Sequence, residues 1–378
     1  MSSRRRTAEK IRHLLETEGD AVRANATHFN DRRYDAIDRF NRYEDLREEA
    51  RSLKEEAIEQ LPALIEQVTE AVEANGGHVH IADDADQANR YIEEVCRDED
   101  AEVLVKSKSM TTEEVEVNDH LESIGVDVYE TDLGEFVIQL ADEAPSHLIG
   151  PAIHKSKDDI ARLFNEVFDP DEPFETAAQL TRFARDYLGE RIREADVGMT
   201  GANFVLADSG TIVIVTNEGN ARKSAVTPDT HIAVTGVEKL LPSMNELGPF
   251  VELIARTGTG QSIAQYVTLL SPPTDSPTID FDQPDRPIEG GQDDREFHLV
   301  LIDNGRLDMR DDDDLRETLY CIRCGACANS CANFQNVGGH AFGGRPTPAE
   351  SRPAGRPGST GWSRPPSSTT SVPGVPGV

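Results

Sequence analysis

Cys321, Cys324, Cys327 and Cys331 stand in the spacing C-x2-C-x2-C-x3-C, so four of the five cysteines fall inside eleven residues. That spacing is the ligand run of a bacterial-type [4Fe–4S] ferredoxin. Two intervening residues place successive thiolates on one tight loop, where three can meet three irons of one cubane. Gly325 and Ala326 keep bulk away from such a group. Zinc would favour two separated C-x2-C pairs. A disulfide framework suits a short secreted chain. The pattern therefore predicts Cys321, Cys324 and Cys327 as cluster ligands, with Cys331 either completing the cluster as the fourth ligand or standing idle. The fifth cysteine, Cys96, lies on the apolar stripe of a predicted helix and is read as a core residue. Ala332 follows the run where ferredoxins carry proline, and no second cysteine run follows.

A second set of candidates could hold a small anion. Lys106-Ser107-Lys108-Ser109 follows a predicted strand and precedes a helix start, the position where open α/β sheets bind ligands. A solvated turn with a capping box explains the same residues equally well. Asn217-Glu-Gly219-Asn220 ends another predicted strand, and Arg222 beside it could pair with a carboxylate or phosphate. Here the alternative is a surface loop. Glu130, Asp132 and Glu135 cluster in sequence, but three carboxylates carry little weight in so acidic a chain. His147 and His154 are read as structural before functional. No nucleophile–base pair or catalytic metal site is legible, so a stand-alone enzyme ranks below an electron-transfer or binding role.

Positioning these groups requires an α/β core. Residues 1–75 show helical apolar spacing, at Ile11 and Leu14 and again at Leu53, Leu61, Leu64 and Val68. They read as a helical N-terminal segment. Residues 76–310 alternate strand-like and helical runs, which predicts a parallel-rich sheet with helical crossovers. Predicted strands run over 78–82, 101–106, 126–129, 211–216, 231–236, 265–270 and 297–302, with a hairpin turn at Asp208-Ser-Gly210. Predicted helices include 86–96 and 112–124, and another starts at Val237. A helix over 315–320, with Asp311 to Asp314 at its start, delivers the chain into a cluster segment over 311–344. From residue 345 to 378 the chain is rich in Pro, Gly, Ser and Arg and lacks apolar periodicity. It is expected to be disordered, and its abrupt change of composition reads as a frameshifted or truncated gene.

Several stretches taken together resemble the LUD (lactate utilization) family. They are Lys106-Ser-Lys-Ser-Met110, Glu130-Thr-Asp-Leu-Gly-Glu135, Gly198-Met-Thr-Gly-Ala-Asn203, Asn217-Glu-Gly-Asn220, His231-Ile-Ala-Val234, the cysteine run, and Gly338-Gly-His340. The resemblance covers roughly residues 10–344. It implies a core like the ribose-5-phosphate isomerase and CoA-transferase fold, with a ferredoxin-type extension. It also implies an iron–sulfur electron-transfer subunit of an L-lactate oxidation complex, fed by a partner dehydrogenase and carrying two [4Fe–4S] clusters. The cysteines of this sequence account for one. The competing reading is a regulatory or binding protein that holds a small anionic metabolite beside a structural or vestigial cluster.

Composition narrows the setting. Asp and Glu number 70 against 38 Lys and Arg, for a net charge of −32. Nucleic-acid binding is excluded in principle, because phosphate contacts need a basic face. No apolar run nears the ~18–20 residues of a membrane span, and Met1-Ser-Ser-Arg-Arg-Arg6 lacks a signal peptide's apolar region. Clustered thiols then point to a reducing cytoplasm. The acid excess fits a protein of molar-salt surroundings, where a Debye length of about 3 Å screens self-repulsion. The expected outcome is loss of the cooperative melt on dialysis into dilute buffer; an unchanged melting temperature there would contradict the halophilic reading.

Overall fold

The computed structural model describes residues 3–272 and 295–342. Most of the Pro-rich stretch and all of the 345–378 tail lie outside the described residues. Among the described residues the ten strands are β1 (His78–Ala82), β2 (Val103–Lys106), β3 (Asp127–Glu130), β4 (Val197–Thr200), β5 (Phe204–Leu206), β6 (Thr211–Thr216), β7 (Thr230–Gly236), β8 (Leu240–Leu241), β9 (Tyr266–Leu270) and β10 (Glu296–Ile302). Six form one sheet in the order β1-β10-β7-β4-β2-β3, every pairing parallel. The remaining four form a smaller sheet, β8-β5-β6-β9, in which β5 and β6 are the antiparallel hairpin expected at Asp208-Ser-Gly210. The α/β class and the parallel-rich sheet expected from the alternating pattern are both present.

The apolar residues of β10 show how the layers are set. Phe297, Leu299 and Leu301 enter one core, which also takes the four-stranded sheet and the helices Tyr43–Glu59 and Leu61–Ala74. Val300 and Ile302 enter the core on the opposite face, with Met199, Ile232, Leu104 and Ile92. Successive strand side chains point to opposite faces, so a strand covered on both sides must be apolar throughout. A third cluster, built on Phe136, Phe164, Leu180 and Leu188, fastens the helices Lys157–Phe168 and Ala177–Glu194.

Several local expectations shift. β1 pairs with β10 at the far edge and does not neighbour β2, so the first crossover spans the sheet. The single helix expected over 112–124 is two short ones, Met110–Glu114 and Val117–Ser123, broken where Glu116 takes φ 56°. The loop expected after Asn217 becomes a helix at Asn220–Val226. That helix lies directly on β4: a Cβ on Gly198 would stand 1.8 Å from the Ser224 carbonyl oxygen, so only glycine permits the approach. The helix start expected at Val237 is one 3-10 turn leading into β8, and Arg316–Tyr320 before the cysteines is likewise 3-10. The helix Leu247–Thr259 carries no expectation from the sequence reading.

The N-terminal helices pack on their own chain. Leu14 and Ile11 meet Val337 and Ala341, Arg23 donates to Asn336 at 3.1 Å, and Arg33 donates to Ser330 at 3.2 Å. Among the described residues no helix is long and apolar enough to cross a membrane.

Candidate functional site

Strand order reverses between β2 and β4. From β2 the chain moves outward to β3; from β4 it works back toward β7 and β10. Loops leaving the two strands part company there and open a crevice at the carboxyl ends, the usual ligand position in open α/β sheets. A cavity of about 340 Å³ occupies it. Ser107, Lys108 and Ser109 line it from β2, and Gly201, Ala202 and Asn203 from β4. Asn217 and Asn220 close one side, and Ile149 and Ile254 supply an apolar wall. The remaining wall is Ile322, Arg323 and Cys324, so the cysteine run and the α/β crevice are one place.

The β2 loop is tightly specified. Ser109 caps the helix Met110–Glu114 by accepting from the Thr112 amide at 3.3 Å. A Cβ on Gly201 would lie 2.7 Å from the Ser109 hydroxyl, so the small residue lets the two loops meet. Lys106 does not reach the cavity. It is buried, pairs with Glu130 at 2.6 Å and donates to Thr112 at 3.1 Å. Lys108 does line it, held by Glu135 at 2.9 Å with 20% of its side chain accessible. Burial works against the Lys108 charge, but Glu135, Asp132 and Glu113 outweigh it and raise its pKa. The acidic run therefore has a definite job: Glu130 and Glu135 each take one lysine, and Asp132 caps the helix Leu133–Leu140. Gly219 is the N-cap of Asn220–Val226, and Arg222 lies 5.3 Å over the Tyr266 ring, outside the cavity lining.

Beneath the cysteine loop lies a buried ion network with no sequence signature. Arg306 makes two hydrogen bonds to Glu114, at 3.0 and 2.8 Å, and pairs with Glu238 at 2.5 Å. Arg323, inside the cysteine run, reaches Glu238 at 3.4 Å and Glu114 at 3.9 Å. Lys239 donates to the Cys321 carbonyl at 3.2 Å, and Lys54 donates to the Glu238 carbonyl. Burial disfavours ionisation of Glu238, yet Arg306, Lys239 and Arg323 hold its carboxyl well below the usual range. Burial pulls Lys54 down to about 7, helped by Lys239. Lys239 falls to about 8, through burial and then Arg323. These residues come from five separate parts of the chain, so no local pattern could have marked them.

The cysteine segment is a tightly turned loop against the crevice. Its four cysteines form no disulfide, with Cys327 exposed and the others half-buried. Arg323 at φ 56° and Gly325 at φ 78° turn the loop, and the Arg323 amide donates to Cys321 Sγ at 3.4 Å. Amide donors to sulfur are a lever by which proteins tune iron–sulfur centres. Asn329 anchors the loop by donating to the Gly258 carbonyl at 2.9 Å. The donor set thus fits a four-thiolate cluster. Among the described residues no group of three or more His, Cys, Asp or Glu side chains is gathered as a metal site. Cys96 lies buried elsewhere, its thiol pushed up to about 12 by burial, consistent with its reading as a core residue.

His147 is fully buried, accepts from the Ile149 amide at 3.2 Å, and is lowered to about 4 by burial. His154 stacks on His340 at 4.7 Å. Glu143 bonds His154 at 2.8 Å and Glu18 bonds His340 at 2.7 Å. These histidines join three distant parts of the chain, which is a structural role.

The LUD domain family matches residues 65–302. Proteins called Lactate utilization protein B, from Bacillus cereus (strain AH820) and Bacillus anthracis (strain A0248), are each 39% identical to this chain over 326 residues. Each alignment covers 85% of this chain and 65% of the relative, so the chain spans a little under two thirds of their length. Among solved structures, a DUF162 family protein from Deinococcus radiodurans superposes with a TM-score of 0.34 at 13% identity, over 64% of this chain and 98% of that one.

Glu113 supplies a pH signature for the site. Burial, then the nearby Glu135, raises its carboxyl from 4.5 to about 7. The native state therefore holds a proton between these values that the unfolded chain releases, so stability falls as pH rises through that window. Glu113→Gln is expected to flatten the fall in melting temperature between pH 5 and pH 8; an identical slope in the variant would refute the assignment.

Proposed function

The chain belongs to the LUD domain family, and we propose that it is the iron–sulfur, electron-transferring subunit of a lactate-utilisation complex. The observation that supports this reading is four cysteines outside any disulfide on one loop, folded against the α/β crevice with Cys324 in its wall. Cys321, Cys324, Cys327 and Cys331 would hold the cluster. Bound there, a [4Fe–4S] group would supply one-electron transfer. The chain's own residues fix the loop: Lys239 holds the Cys321 carbonyl, Asn329 ties the following helix to Gly258, and the Arg323 amide meets Cys321 Sγ. Half-buried thiols limit solvent access while exposed Cys327 leaves one side open to a partner. In this reading the partners are the other subunits and an electron-donating dehydrogenase, and the compartment is a cytoplasm that keeps thiols reduced.

The cavity favours a second role for the same domain, binding of a small organic anion. Its lining sets Lys108, Lys239 and Arg323 against Asp132 and Glu218, an excess of cations in a chain of net charge −32. Burial also raises the Glu218 carboxyl, which weakens its opposition.

Native protein purified anaerobically in high salt is expected to contain about four iron and four acid-labile sulfide per chain, with a cubane EPR signal on reduction. Cys324→Ser should lose most of that iron, and unchanged iron content would defeat the assignment. Titration calorimetry with simple 2-hydroxy and 2-oxo carboxylates tests the cavity. Binding by the wild type that weakens about tenfold in Lys108→Met, the loss of one charge-assisted hydrogen bond, is expected. No heat with any of them would remove the anion-binding role.

A further inference from the structure

Buried charges are normally balanced, because an unpaired one is costly to desolvate. Beneath the cysteine loop they are not. Lys54, Lys239 and Arg306 are almost wholly buried, and Arg323 has 16% of its side chain accessible. Facing these four cations are two buried carboxylates, Glu114 and Glu238. Asp303 stands at the rim, half-buried, its oxygens taken by the Leu307 and Gly305 amides. Even with Asp303 counted, positive charge is left over. The surplus sits in a chain whose net charge is −32, where chance placement would give the opposite sign.

The two lysines are the uncompensated members. Arg306 has both carboxylates, and Arg323 reaches the same pair. Lys54 and Lys239 donate to backbone carbonyls, of Glu238 and Cys321 respectively. A carbonyl accepts the hydrogen bond but supplies no negative charge. The carbonyl under Lys239 belongs to the first cysteine of the run, so the charge of Lys239 faces the loop.

We propose that Lys54 and Lys239 are a built-in counter-charge for an anionic, thiolate-held cluster on Cys321, Cys324, Cys327 and Cys331, and that they set its reduction potential. The proposal rests on the iron–sulfur reading above. A cubane core of two positive charges held by four thiolates is a dianion, and reduction adds one more negative charge. Against the two buried carboxylates alone, two cations are left over, equal to the charge of the oxidised form. They stabilise the reduced form more, because attraction grows with the anion's charge.

The test uses the full chain, wild type and the near-isosteric Lys54→Met and Lys239→Met, with the exposed Lys157→Met as control. Three quantities are read: iron per chain, midpoint potential by EPR-monitored titration, and melting temperature of the chelator-treated, cluster-free protein. Each buried-lysine variant should shift the reduction equilibrium about tenfold toward the oxidised form, equal to a midpoint about 59 mV lower. Without the cluster, the same variants should melt no lower than wild type, since an uncompensated buried charge has been removed. The control should match wild type in all three. Wild-type iron with midpoints unchanged in both variants would overturn this proposal and leave the iron–sulfur reading standing. A wild type that takes up no iron would overturn both. Variants that melt lower when cluster-free, with an unshifted midpoint when loaded, would show a packing role and also overturn it.

Discussion

The side chain of Arg306 is the point on which this structure closes. It follows β10, yet its guanidinium is shared between Glu114, from the helix after β2, and Glu238, from the turn after β7. Carboxyl ends of three strands that are far apart in sequence are thereby tied to one planar cation. The Glu114 side of the bridge is bidentate, the geometry in which arginine outperforms lysine. Removing one partner from such a buried set costs about 3–5 kcal/mol, because the groups left behind cannot recover their hydration. The same two glutamates reach Arg323, so the bridge that closes the sheet also seats the cysteine loop.

Seating is completed from outside the α/β domain. The N-terminal helices form a clasp on the cysteine segment through Arg23, Arg33 and the small cluster of Leu14, Val337 and Ala341. The stacked pair His154 and His340 adds a polar lock, with Glu143 and Glu18 on its two sides. Loop closure over several hundred residues costs only slightly more entropy than over a few dozen. A clasp joining the first helices to the last described segment is therefore thermodynamically reasonable, and it makes the cysteine loop part of one body with the domain.

What was legible before the structure divides along physical lines. The cysteine run, the strand alternation and the hairpin were all readable, because each is a local pattern with a fixed period or spacing. Ser107, Lys108 and Ser109 were found at a strand end and do line the cavity; Lys106, picked by the same rule, is turned inward to Glu130. β2 ends at Lys106, so Lys106 keeps the buried direction of a strand residue, while residues 107–109 belong to the loop that turns over the cavity. The edge position of β1 was not readable, because parallel pairing leaves no short-range mark. Asn217-Glu-Gly-Asn carries turn residues and predicts a loop where Asn220–Val226 is a helix, because contact at Gly198 overrides them. Lys54, Glu114, Glu238, Lys239 and Arg306 were invisible as a group. Each looks like an ordinary surface charge in a chain with 29% charged residues, and only the fold reveals that they are buried together.

The cavity lining and the network beneath the cysteine loop each hold more cations than carboxylates, and they do so by sharing Lys239 and Arg323. Sharing has a consequence for any pair of occupants. An anion in the cavity and an anionic group on the loop would draw on the same two cations, and each would weaken the field available to the other. Linkage makes that effect reciprocal: whatever reduction does to anion affinity, the anion does to the reduction equilibrium by the same factor. The arrangement that lets Cys324 form a wall of the crevice would thus make two such occupants electrostatically dependent, without any conformational change between them.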